Sequence, residues 1–112
     1  MVISSKEEVE DLLSQMRKAI DNGNAGLIKR RKNTNTLTHF GILEKDAYDI
    51  TYGLKYKHYC HGPDPDRDCP LNEPFWFFKC SYQNEVLYIK FFIRYVEEDN
   101  PRLVLFSFHL DE

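Results

Sequence analysis

EVLYIKFFIRYV at 85–96, EEDNP at 97–101 and RLVLFSFHL at 102–110 decide the fold. In the first run Leu87, Ile89, Phe91, Ile93 and Tyr95 share one side of an extended chain, and Tyr88, Lys90 and Arg94 share the other, because strand side chains alternate. In the second run Val104, Phe106, Phe108 and Leu110 make the apolar side, with Ser107 and His109 opposite. The turn between them is short and polar, so the two runs are expected to pair as a hairpin. A one-residue slip would turn one apolar set to solvent, so the apolar sides must lie together. This register sets Leu87 beside Leu110, Ile93 beside Val104 and Tyr88 opposite His109. An imidazole, a phenol, an ammonium and a guanidinium then share one sheet surface, a set suited to proton transfer at a phosphate. Polar and aromatic cross-strand pairs also stabilise sheets with no chemistry attached, and on these two strands alone that plainer role is favoured.

A chain of 112 residues is expected to form one domain over 1–112, and 42% hydrophobic with 14% aromatic content suits a folded core. No apolar run approaches the ~20 residues that span a bilayer, so no membrane partner is expected. The opening MVISSKEEVE has no basic segment followed by an apolar one and is not read as a secretory signal. Cys60, Cys69 and Cys80 make no even disulfide framework, which fits reduced thiols in a cytoplasm. The net charge of −3 speaks against a generic nucleic-acid binder. Charge is uneven, however. Lys29, Arg30, Arg31 and Lys32 form a basic run that can steer a polyanion, although such a run in isolation is a solvated surface stretch.

Ser4 or Ser5, followed by Glu7 or Glu8, reads as a capping box, and Val9, Leu12, Leu13, Met16 and Ile20 recur at helical spacing until DNGN ends the helix. GLIKRR suits a short edge strand. Asn33–Phe40 reads as a short helix stopped by Gly41, and Glu44–Tyr52 as another with Ala47, Ile50 and Leu54 inward. HYCHGPDPDRDCPLNEP (58–74) is read as a long loop, and loops of that length in small domains tend to serve function. Residues 61–74 are expected to lie beside the polar sheet face and to help admit or hold a partner. Strands at 75–82, 85–96 and 102–110 follow. Helices first and strands afterwards give an α+β domain, with N-terminal helices packed on a small antiparallel sheet.

The order of these pieces resembles the MqsR family of bacterial type II toxins, which share the RelE-like RNase toxin fold. The resemblance runs from about residue 26 to the end through IKRRKNTNTL, DITYGL, GPDPDRD, FWFF, LYIK and SFH. It implies a single toxin-like domain that cleaves messenger RNA, free or on the ribosome, and that a cognate antitoxin protein neutralises. In that family a tyrosine and a lysine on the penultimate strand and a basic residue on the last lie at the proposed catalytic surface. Tyr88, Lys90 and His109 stand at those places here. Better-studied members carry a lysine where His109 stands and a glutamine where this chain reads Trp76-Phe77-Phe78; Cys60 or His61 falls near a further lysine of theirs.

Metal-independent RNA cleavage needs a base for the 2′-hydroxyl, cations for the phosphorane and an acid for the leaving 5′-oxygen, and no cofactor. His109 is the expected base, imidazole having an ordinary pKa of ~6.5. Lys90 and Arg94 are expected to supply charge, and Tyr88 a hydrogen bond. Lys29, Arg30, Arg31 and Arg67 are expected to hold the RNA backbone. Two other readings stay open. His58, Cys60, His61 and Cys69 could hold zinc in the 58–69 segment, although their spacing matches no common zinc pattern. Alternatively, the aromatic sheet could dock on a partner as a non-catalytic binding module or inhibitor.

Overall fold

The computed structural model describes residues 1–69 and 71–110, and for Val96 the backbone only. Helix α1 spans Lys6–Asp21, and its start follows the capping box: Ser5 Oγ accepts from the Glu8 N–H at 3.2 Å, and Glu8 Oε1 accepts from the Ser5 N–H at 3.2 Å. Val9, Leu12, Leu13, Met16 and Ala19 form its buried stripe. Strand β1 (Ala25–Leu27) follows, then helix α2 (Arg31–Phe40) and helix α3 (Glu44–Tyr52). Gly41 ends α2 at φ 66, where its own N–H and that of Ile42 reach back to Thr38 and Leu37. A 3-10 turn at Tyr56–His58 leads into β2 (Tyr59–Asp64), β3 (Phe75–Tyr82), β4 (Glu85–Glu97) and β5 (Asn100–Leu110).

The five strands form one sheet in the order β1-β5-β4-β3-β2. The domain is α+β as expected, but the sheet is mixed, because β1 runs parallel to β5 while the other pairs are antiparallel. The long loop expected over 58–74 also needs correction. Its first part is β2, paired with β3, and only the remainder is loop; Pro70 lies outside the described residues.

Helix α1 covers the inner sheet face, where Phe78, Leu87, Ile89, Phe91, Leu103, Leu105 and Phe108 are fully buried. Leu87 does pair with Leu110 and Tyr88 with His109. Ile93, however, pairs with Leu103 rather than Val104. Lys90 stands opposite Ser107 and Phe91 opposite Leu105, so Phe106 is an extra residue, a β-bulge. The bulge resets the alternation. Core residues of β5 are Leu103 and Leu105 before it and Phe108 after it, and the expected inward pair Val104 and Phe106 belongs to the outer face.

Candidate functional site

Asn33 explains how α2 comes to overhang that outer face. Strand β1 leaves β5 after the Ile28 N–H bonds to Leu105 O at 3.0 Å. From there the fully buried Asn33 takes over: its Oδ1 accepts from the Phe108 N–H, and its Nδ2 donates to Phe106 O and Ile28 O, all at 2.9 Å. A buried edge backbone must be satisfied, and here a side chain satisfies it beside the bulge. Helix α2 is thereby pinned along β5.

Between α2 and the sheet lies a cleft of ≈ 500 Å³. Lys32, Asn35, Thr36 and His39 line it from one helix face, at spacings i, i+3, i+4 and i+7. Tyr88, His109 and Leu110 line it from the strands. The Tyr88 and His109 rings stack with centroids 5.3 Å apart. His109 Nδ1 is 2.9 Å from Leu110 O. A carbonyl only accepts, so Nδ1 carries the hydrogen in this contact, and Nε2 is the ring nitrogen left for proton exchange. His39 reaches the Glu85 carboxylate, Nε2 to Oε2, at 2.6 Å.

Farther along the same face Lys90 lies among aromatic rings. Its Nζ is 4.3 Å from the centroid of Phe75, 5.0 Å from Phe106 and 5.3 Å from Phe77. Burial there lowers the Lys90 pKa, the Arg30 charge lowers it further, and Asp66 and Asp68 pull the other way. Arg30 shares the Phe106 ring, 4.5 Å from its centroid, and donates to Ser107 Oγ at 2.8 Å. A second cleft opens at this end, lined by His61, Asp64, Asp66, Arg67, Phe77 and Lys90 among others. His61 Nδ1 bonds to Asp64 Oδ2, and its ring stacks on Phe77 at 4.0 Å. The loop does lie beside the polar face, as its sequence led us to expect, and Arg94 Nη2 donates to Asn72 Oδ1 at 3.2 Å to hold it there.

Of the expected catalytic residues, the fold brings Tyr88 and His109 into one cleft. Lys90 is two pairs along, with its ammonium at the other end. Arg94 is six residues from Tyr88, roughly 20 Å along the strand. Among the expected RNA-binding residues Arg30 packs on the outer face and the exposed Arg67 lines the loop-side cleft there; Lys29 pairs with Glu44 at 2.9 Å, and Arg31 is exposed. The zinc reading gains nothing, for among the described residues no group of three or more His, Cys, Asp or Glu side chains is placed to hold a metal ion. An extra residue at Cys60 turns His61 to the outer face, while His58 Nδ1 accepts the Lys55 N–H at 2.9 Å. Sequence reasoning missed His39, Asn33 and the His61–Asp64 pair. A polar stripe Lys32, Asn35, Thr36 and His39 on one helix face was the available signal for the first. No protein-family model matches the chain, and no curated protein or solved structure matches it either.

Proposed function

We propose that this protein is a metal-independent endoribonuclease, the toxin of a type II toxin–antitoxin pair acting on messenger RNA in the cytoplasm. The observation that carries the reading is the helix-side cleft, where His109 stacks on Tyr88 with Nδ1 anchored and Nε2 left for a ligand. His109 takes the 2′-hydroxyl proton at Nε2, the 2′-oxygen attacks the adjacent phosphorus, and a 2′,3′-cyclic phosphate forms as the 5′-oxygen leaves. Lys32 from α2 and Arg30 beside Ser107 supply positive charge near the phosphate, and the phenol of Tyr88 supplies a hydrogen bond. The similarity of IKRRKNTNTL, GPDPDRD, LYIK and SFH to the MqsR family adds the RelE-like fold and the neutralising antitoxin to the proposal. The net charge of −3 requires that RNA be held locally, and of the basic run at 29–32 it is Lys32 in the cleft, with Arg30 at Ser107, that would do so.

Purified wild-type and His109→Gln proteins, incubated with an unstructured RNA and EDTA, test the reading. Wild type should cleave and leave 2′,3′-cyclic phosphate ends, and the variant should not. Equal cleavage by both would remove His109 from the mechanism. No cleavage by wild type, together with harmless expression, would replace the nuclease with a binding module.

A further inference from the structure

The nuclease reading names a base but no donor for the leaving oxygen, and the cleft contains a second imidazole. We propose that His39 is the general acid of this cleft, protonating the 5′-oxygen as the P–O5′ bond breaks; the assignment rests on the nuclease reading. His39 and His109 line one space of ≈ 500 Å³, a size that takes a single small ligand, yet they come from different elements, α2 and β5. The two rings are anchored through opposite nitrogens. His109 donates from Nδ1 to the Leu110 carbonyl and offers Nε2. His39 faces the Glu85 carboxylate with Nε2 at 2.6 Å; a carboxylate only accepts, so Nε2 carries a hydrogen and Nδ1 is offered to a ligand.

Each anchor suits one half of the reaction. His109 begins neutral and receives the 2′-hydroxyl proton at Nε2. His39 begins as imidazolium, gives its Nδ1 proton to the departing 5′-oxygen, and ends as the neutral tautomer with hydrogen on Nε2, the form that Glu85 holds. The products are a 2′,3′-cyclic phosphate and a 5′-hydroxyl, and the proton count balances. The cleft's other proton carriers fit this role less well. A lysine or tyrosine side chain ordinarily titrates near ~10, too far from neutrality to release and regain a proton readily. Lys32 is then left to hold charge on the phosphate, and Asn35 to position it.

A substrate whose leaving group needs no proton separates an acid from every other role. We would compare an RNA dinucleotide linkage with its 5′-bridging phosphorothiolate, in which a thiolate departs. His39→Gln should slow cleavage of the oxygen substrate by ~10²-fold and leave the sulfur substrate within a few-fold of wild type. His109→Gln and Lys32→Gln should slow both. A Glu85→Gln protein should lie between wild type and His39→Gln on the oxygen substrate, with the sulfur substrate little changed. If His39→Gln loses both substrates equally, or neither, while wild type cleaves both, His39 is not the acid and the nuclease reading survives. If folded wild type cleaves neither, the nuclease reading itself falls, and the assignment with it.

Discussion

At the helix-side end of the outer sheet face, His109 stacks on Tyr88 and keeps one nitrogen available in a cleft walled by polar side chains of α2. At the loop-side end, Lys90 lies among Phe75, Phe77 and Phe106, and His61 is bound to Asp64 and stacked on Phe77. Both ends have a histidine, a cation and aromatic rings, and β4 and β5 contribute to both. What differs is the element laid over the sheet. A helix fixed by one buried asparagine leaves a cavity with protonatable groups around it. A loop carrying Asp66 and Asp68 brings its own carboxylates to the cation instead. Strand alternation therefore sorts side chains by face, and the covering element decides which of them can act on a ligand.

The sharpest way to break this contrast is to unpin the helix. Asn33→Leu keeps the approximate volume but strands the Phe108 N–H and takes one donor from each of the Phe106 and Ile28 carbonyls, which keep Arg30 as a donor. An unsatisfied buried donor costs ~1–3 kcal/mol and each lost hydrogen bond adds to it, so a loss of about 2–3 kcal/mol in urea unfolding is expected. An unfolding midpoint equal to that of wild type would mean that α2 is held by something else.

Next in size is a pair of substitutions aimed at the two histidines. His109→Gln should reduce RNA cleavage by ~10²-fold or more, with thermal stability almost unchanged. His61→Gln should reduce it by less than ~5-fold, because its site lies away from the reacting phosphate. Comparable losses in the two proteins would place the chemistry at the loop side, or across both ends.

The sequence made some of this arrangement plain and hid the rest. Leu87, Ile89 and Phe91 alternate cleanly with Tyr88 and Lys90, so the faces of β4 and the Tyr88–His109 pair could be read from period two alone. In β5 the run Leu103, Val104, Leu105, Phe106 is apolar at every position, so either parity satisfies it, and the bulge that chooses between them leaves no mark in composition. The parallel contact of β1 with β5 was equally silent, for a three-residue strand carries too little pattern to fix its direction. Lys90 was placed on the correct face, but nothing in the strand itself shows that Phe106 would turn outward beside it. The His39 wall was legible only as spacing within α2, and its meaning needed the strand ends beneath it.

Lys90→Met tests the enclosure directly. Because burial disfavours the ammonium, a neutral side chain of similar length should be accepted with a stability change within ~1 kcal/mol. Cleavage should fall by less than ~5-fold, as for His61→Gln, because the ammonium lies at the loop-side end and not in the His109 cleft. A loss equal to that of His109→Gln would show that the ammonium swings out of its rings to reach substrate.

The smallest effect expected is acid loosening of the loop side alone. Burial works to raise the Asp64 pKa, but the Val2 N–H at 2.8 Å, the His61 contact and the N-terminal ammonium together bring it below the ordinary 3.8. A carboxyl whose folded pKa is depressed contributes stability that is fully present above its unfolded value and is lost as pH falls through the folded one. The tie between residue 2 and β2 should therefore persist at pH 5 and weaken progressively below pH 3.8, while the cleft beside Asn33 is unaffected. Amide resonances followed from pH 6 to 2.5 would report this residue by residue. Those of Val2 and His61 should shift with a midpoint below 3.8, those of Asn33 and Phe108 should move far less, and the transition at Val2 should vanish in Asp64→Asn. A transition at Val2 that persists in Asp64→Asn would transfer the acid sensitivity to another carboxylate and dissolve this distinction between the two ends.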